Sequence, residues 1–228
     1  MYFCPFVKEK ILFGWSAKCG CTHVKYLYWY LRGRPRKSAD EVHTKQTYRT
    51  FLPAFKDYKV ILFVRNPYKR AVSAFQYHFG FSKRRLRKHM VSVPKTFENF
   101  CDVLDTHGLA GVNTHHFAPQ FREAWVSTIV PTRVFDIEAI DYEWLEGLFG
   151  RVIPKEVREV RGSHIHRPSK EPKDDVAYSK TYEVTKDIKY PTNAFYNEKL
   201  KATIDRIYAI DFSYLKSFGF IYPSPLLK

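Results

Sequence analysis

Two short apolar runs, Ile11-Leu-Phe-Gly-Trp15 after Lys10 and Val60-Ile-Leu-Phe-Val64 after Lys59, show no polar alternation and end at polar residues. Continuous runs of that length predict strands buried on both faces, over residues 10–15 and 59–64, as in the interior of a parallel sheet. The small and polar stretch Ser16-Ala-Lys-Cys-Gly-Cys-Thr22 follows the first, and then a helix is predicted over 23–31. A second helix is expected from about residue 44 to 55, and Pro67 opens a third, running to about residue 79, at a first turn where its missing N–H costs nothing.

Further along, residues 96–104 form an amphipathic pattern with Phe97, Phe100 and Leu104 on one side. A strand is predicted over 128–137, a helix over 141–149, a polar basic loop over 161–172, and a final helix over 194–210 with Phe195, Leu200, Ile204, Ile207 and Tyr208 available for packing. Strands alternating with helices, without an internal repeat or linker, predict one α/β domain over residues 1–228 with a central, mainly parallel sheet flanked by helices.

Composition removes several classes. With 228 residues, 45% hydrophobic and 17% aromatic, the chain is globular rather than disordered. No apolar stretch approaches the roughly 20 residues of a membrane helix and no signal opens at Met1, so a soluble, cytoplasmic protein is expected, with a Golgi lumen location only for a truncated chain. Four cysteines, two of them flanking one glycine, suit a reducing compartment. The charge is uneven: residues 1–100 carry 21 Lys and Arg against 5 Asp and Glu, while residues 101–228 carry 17 against 18. All of the +15 therefore lies in the first half, which points to a polyanionic partner: nucleic acid, a phosphorylated cofactor or an acidic glycan.

Two segments offer the chemistry for such a partner. A loop between a strand and a helix presents backbone N–H groups and the positive end of the helix dipole, and residues 16–22 occupy that place. Gly20 permits close approach of a phosphate, Thr22 offers a hydroxyl and Lys18 a mobile charge, although the Gly-x4-Gly-Lys-Ser/Thr pattern of nucleotide triphosphatases is absent. The second segment, Phe63-Val-Arg-Asn-Pro-Tyr-Lys-Arg-Ala-Val-Ser-Ala74, sets Arg65 directly after a buried strand and Ser73 on the next helix. Arginine there can grip phosphate with two N–H groups; Arg70, on the same helix face as Ser73, either supports that anion or is solvated.

With both segments in hand, the sequence resembles sulfotransferases that use 3′-phosphoadenosine-5′-phosphosulfate (PAPS), closest to the Golgi carbohydrate sulfotransferases of sulfotransferase family 2. Ala-Lys-Cys-Gly-Cys-Thr-His-Val-Lys (17–25) is similar to that family's Pro-Lys-x-x-Cys-Thr-x-x-Lys loop, departing at Ala17, and residues 63–74 are similar to its 3′-phosphate segment. His116-Phe-Ala-Pro-Gln120 resembles a His-Trp-x-Pro-Gln segment, Val134-Phe-Asp-Ile-Glu138 resembles a following strand, and the regions around Ser169 and 208–220 echo the family's C-terminal part. The resemblance implies a fold related to P-loop kinases, with Lys18, Cys19, Gly20, Cys21 and Thr22 around the 5′-phosphosulfate and Arg65 with Ser73 on the 3′-phosphate. It also implies no metal, an acceptor hydroxyl on a carbohydrate, an anionic one included, or on another hydroxyl-bearing molecule, and the desulfated nucleotide PAP as product.

Lys18 could steady charge on the leaving oxygen, and a histidine suits the general base at neutral pH. Of nine histidines, His43 stands between the two segments where related enzymes keep their catalytic histidine; His116 is the alternative, with His23 and His115 behind. Cys19, Cys21 and His23 lack the second ligand pair of a zinc site. The basic run 83–89, near Tyr77, Phe79 and Phe81, supplies the competing reading of an RNA-binding module without catalysis, whereas on the sulfotransferase reading no nucleic acid is expected and the run would attract an acidic glycan.

Overall fold

The computed structural model describes residues 1–35, 38, 41–42, 53–81, 94–112, 114–160, 176–185, 188 and 190–226. It is an α/β protein with a four-stranded sheet in the order β1-β2-β3-β4: β1 Tyr2–Phe6, β2 Ile11–Trp15, β3 Lys59–Val64 and β4 Arg133–Asp136. The three strands β2, β3 and β4 are parallel, and β1 adds an antiparallel edge through a turn at 7–10. Strands β2 and β3 are buried along nearly their whole length, which is why they read as unbroken apolar runs. At Gly14 the packing leaves room only for hydrogen: a Cβ there would lie 2.7 Å from Leu62 Cδ2 and 2.9 Å from Phe3 Cε1.

Two compact units make up the chain, Met1–Arg65 with Glu123–Ile165, and Asn66–Arg122 with His166–Lys228. The first holds the sheet, α1 (Cys21–Leu31) and a later helix, Tyr142–Phe149. Its core gathers Phe6, Phe13, Trp15, Val24, Leu27, Phe63, Phe135 and Leu145, with the Phe13 and Phe63 rings crossing edge to face at 5.0 Å.

The second unit is helical, with α2 (Pro67–Phe81), α3 (Phe97–His107) and, after the first unit's Tyr142–Phe149 (α4), α5 (Glu198–Ile207) and α6 (Ala209–Ser217). Its separate core includes Phe75, Phe97, Phe100, Phe117, Phe195, Leu200, Ile204 and Tyr208. Side-chain caps fix the helix starts: Thr96 accepts from Asn99 N at 3.0 Å, Asp141 from Trp144 N at 2.9 Å and Asn197 from Leu200 N at 2.9 Å.

Three expectations need correction. Strand β1 was not anticipated. The strand expected over 128–137 is confined to Arg133–Asp136, because the chain before it is still turning: Thr128 Oγ1 donates to Ala124 O at 2.7 Å, beyond the helical turn Glu123–Val126. The long final helix is two helices, since Asn197 starts a new one and Tyr208, with ψ 25°, ends α5 where α6 begins. The helix expected over 44–55 falls mostly outside the described residues; its end is a 3-10 turn, Pro53–Phe55. Among the described residues no helix is long and apolar enough to cross a membrane.

Candidate active site

At the C-terminal edge of the parallel strands, the Trp15–Phe63 and Val64–Asp136 pairs bring the ends of β2, β3 and β4 side by side. That edge is where open α/β sheets hold their ligands. The loop leaving β2 closes a turn by a Cys19 N to Ser16 O bond of 3.2 Å, with the buried Cys19 Sγ 3.9 Å from Ala17 O. Two of its residues have left-handed backbones, Lys18 at φ 68° and Gly20 at φ 66°. For lysine that conformation carries a cost of the order of 1–3 kcal/mol, the kind of strain that concentrates at ligand-binding loops.

Gly20 is the N-cap of α1, so the cap residue offers no side-chain acceptor, and the first turn holds no acid. The positive end of the helix therefore meets no carboxylate of its own helix. A side chain at Gly20 would fail twice, on φ and on space, since its Cβ would run into Ile137 Cγ1 and Cδ1. Thr22 and Lys25 are buried and Lys18 half-buried.

Arg65 is the residue after β3, with its side chain 26% exposed and Nη2 3.4 Å from Glu138 Oε1. Glu138 is itself placed by the end of β4: Ile137 N donates to Val64 O at 2.8 Å, and Glu138 N to Asp136 Oδ1 at 2.9 Å. One tripeptide thus touches both candidate anion elements, through Ile137 on Gly20 and Glu138 on Arg65. Sequence reasoning quoted this tripeptide as strand without giving Ile137 or Glu138 a role; its position after the third parallel strand was the available signal.

His23 is occupied. Its Nε2 lies 2.9 Å from Tyr142 Oη, and burial lowers its pKa to about 4 against a hydrogen bond at the Val160 backbone that raises it. The imidazole is neutral at physiological pH and joins α1 to the start of α4.

In the second unit, Ser73 is half-buried on α2 and Arg70, one turn before it, is only 2% exposed. The Arg70 guanidinium is committed to the chain at 116–120: Nη2 donates to His116 O at 3.2 Å and to Ala118 O at 2.7 Å. Tyr208 Oη donates to Phe117 O at 2.8 Å, and the buried Asp211 carboxylate accepts from Gln120 N and Phe121 N, each at 3.0 Å. Burial raises the Asp211 pKa while Arg70 and these N–H groups pull it back. The backbone of the His116 segment is therefore fixed by Arg70, Tyr208 and Asp211; the sequence offered Tyr208 for packing only and gave Asp211 no role. The His116 ring, half-buried, stands 5.2 Å from that of Tyr77 and 4.5 Å from that of His115, which is exposed.

His43, Ser169 and the run 83–89 lie outside the described residues. The four cysteines are free thiols, and among the described residues no group of His, Cys, Asp and Glu is arranged to hold a metal ion.

Comparison with known proteins agrees with this architecture. No curated protein and no solved structure matches the chain. The model of the sulfotransferase family matches residues 4–218, nearly the whole chain, which leaves the RNA-binding reading without support. With that match across both units, the chain belongs to the sulfotransferase family and is a sulfotransferase enzyme.

Proposed function

We propose that this sulfotransferase takes a sulfuryl group from PAPS and delivers it to a hydroxyl of a carbohydrate, releasing PAP. The observation that carries the reading is the acid-free first turn of α1, capped by a glycine, behind the left-handed residues Lys18 and Gly20. Such an edge suits the 5′-phosphosulfate chemically, with N–H donors and an ammonium group and no carboxylate in the helix's first turn. Residues Lys18 to Thr22 take that end of the donor, and Arg65 with Ser73 take its 3′-phosphate on the strength of the family motif.

In the transfer, the acceptor oxygen bonds to sulfur as the bond from sulfur to the bridging phosphate oxygen breaks. The electron pair stays on that oxygen and the hydroxyl proton passes to a histidine. Lys18 and the α1 terminus oppose the charge that grows on the leaving oxygen, help that is worth most in the transition state. His43 is the proposed base and His116 the second candidate. Arg70, committed to the carbonyls of residues 116 and 118, acts by shaping the His116 segment rather than by meeting phosphate directly.

Sulfur-35-labelled donor, offered with a panel of neutral and anionic oligosaccharides, tests the reading together with binding of PAP and AMP. Label should appear on a sugar hydroxyl, with PAP bound far more tightly than AMP. In Lys18→Ala turnover should collapse while PAP affinity changes little. Equal affinity for PAP and AMP would refute the donor assignment, and label transfer only to non-sugar hydroxyls would refute the acceptor class.

A further inference from the structure

The opposite end of the sheet carries a second concentration of charge. The turn between β1 and β2 presents Lys8 and Lys10, and Lys59, whose N–H donates to Lys10 O at 2.8 Å, begins β3 beside them, with Lys56 just before it; all four side chains are exposed. Helix α1 ends at the same place, since the Tyr28 ring lies 4.8 Å from that of Phe6, the last residue of β1, and the Tyr28 hydroxyl accepts from Arg32 Nη1 at 2.8 Å. Arg34 is exposed beyond it, and Arg151 arrives from the end of α4, donating to Tyr30 O at 2.7 Å. Among the described residues, the exposed acids on these turns are Glu9 and Asp57, while Glu146, beside Ile153, is paired with Arg158 at 2.7 Å. Arg32 and Arg151 can be explained by the negative end of the α1 dipole; the lysines and Arg34 cannot.

Two aliphatic side chains stand out among the charges. Val7, at the turn, is 65% exposed and Val152, next to Arg151, is 73% exposed. Tyr30 Oη donates to Val152 O at 2.7 Å, which fixes that valine to the helix end. The aromatic rings nearby are not offered for stacking: the Arg32 guanidinium lies 5.4 Å from the centre of Tyr28 and 5.6 Å from that of Trp29, and Arg151 lies 5.7 Å from that of Tyr30. A polysaccharide or a single-stranded nucleic acid gains from open aromatic faces and little from exposed valines. A bilayer gains from both features present, cations against anionic headgroups and small aliphatic groups in the interfacial layer.

We propose that this end of the sheet docks on an anionic membrane surface. Val7 and Val152 enter the headgroup layer within a ring of lysine and arginine. Because it uses the N-terminal end of β2 and β3, docking leaves the loop at 16–22, at their C-terminal end, facing away from the lipid. The proposal stands independently of the donor and acceptor assignments.

Co-sedimentation of the full chain with vesicles tests it, comparing pure phosphatidylcholine with vesicles containing about one third phosphatidylserine at physiological salt. The protein should pellet with the anionic vesicles only. The variant Lys8→Glu/Arg34→Glu/Lys59→Glu should bind them at least about a hundredfold more weakly, at roughly fivefold per charge. A control with equal charge reversal in the other unit, Lys95→Glu/Lys180→Glu/Lys216→Glu, should keep most of the affinity. Val7→Ser, which leaves the charge unchanged, should weaken vesicle binding by about tenfold without changing retention on heparin. Unchanged melting temperatures certify that the variants fold. Equal loss in the control would reduce the effect to net charge and overturn the proposal. So would vesicle binding that ignores the first variant while heparin or RNA binding follows it, which would make the surface a polyanion site instead.

Discussion

Ile137 closes over Gly20 so tightly that a methyl group on the glycine would overlap its side chain, at a position whose φ of 66° already disfavours any L residue. The end of β4 therefore sets the floor of the loop that begins α1, and the loop's shape depends on a residue more than a hundred positions away.

Gly20→Ala should accordingly cost about 2–4 kcal/mol of stability, from strain at positive φ plus the clash, and weaken PAP binding strongly. Adding Ile137→Ala should return the steric part and leave the conformational part. Urea unfolding of the two single variants and the double separates the contributions; strict additivity would mean that the two residues do not communicate.

The pair between Arg65 and Glu138, long at 3.4 Å and partly solvated, is worth no more than about 1 kcal/mol. If Arg65 takes the 3′-phosphate as proposed, that group would offer it a shorter, doubly bonded partner, and Glu138 would compete for the guanidinium in the free enzyme. Glu138→Gln should tighten PAP about two- to fivefold and leave AMP unaffected, whereas Arg65→Ala should weaken PAP alone. Calorimetry with both nucleotides measures this, and a looser PAP complex in Glu138→Gln would show that the glutamate orients the arginine instead.

The neutral state of His23 makes stability depend on pH. Its folded pKa of about 4 lies below the unfolded value of 6.5, so the unfolded chain binds more protons between those limits and stability falls as pH drops through that window. Between pH 7 and pH 5 the loss from this group alone is about 2 kcal/mol. In His23→Gln, which keeps a polar partner for Tyr142, the dependence over that interval should shrink by the same amount. Urea titrations at the two pH values give the comparison; an identical pH dependence in both proteins would assign it to other groups.

What the sequence revealed and what it concealed follow from the range of the interactions. Strands β2 and β3 were legible because burial on both faces removes polar residues from the run, and the start of α2 because Pro67 fits only a first turn. Strand β1, as long as β2, was hidden by Pro5, which argues against a strand interior and which only an edge strand tolerates. The loop at 16–22 was legible by place and composition, but its geometry was not, since Lys18 gives no local hint of a left-handed backbone. His23 kept the look of a candidate base until the fold supplied Tyr142, and Arg70 the look of an anion ligand until it supplied the carbonyls of residues 116 and 118.

Arg70 and Asp211 should behave as a buried unit. Arg70→Met removes the donor to two carbonyls and strips Asp211 of a neighbouring charge, an expected loss of about 3–5 kcal/mol. Asp211→Asn turns an acceptor of two backbone N–H groups partly into a donor, and about 2–3 kcal/mol should go. The double variant should recover part of the sum, because neither charge is left buried alone. Thermal or urea unfolding provides the values; a double variant at the sum of the singles would show the two charges to be independent.

The identity of the base turns on the difference between a placed histidine and one that helps to build its surroundings. His116 sits on a segment whose backbone is held by Arg70, Tyr208 and Asp211, so its ring could be removed without dissolving the loop. His43 follows the first phosphate segment and precedes the strand that leads to Arg65, the place where the resemblance sets the catalytic histidine. If His43 takes the proton, His43→Ala should keep PAP affinity and lose roughly 10²–10⁴-fold in transfer rate, while His116→Ala stays within about tenfold of the parent. The rates must be taken at saturating donor and acceptor, since a loss confined to KM would describe acceptor binding rather than proton transfer. The pH profile supplies the second readout: loss of a base removes the acidic limb of kcat, which a merely structural histidine leaves in place. A folded His116→Ala protein that loses both rate and acidic limb, beside a near-normal His43→Ala, would give the role to His116.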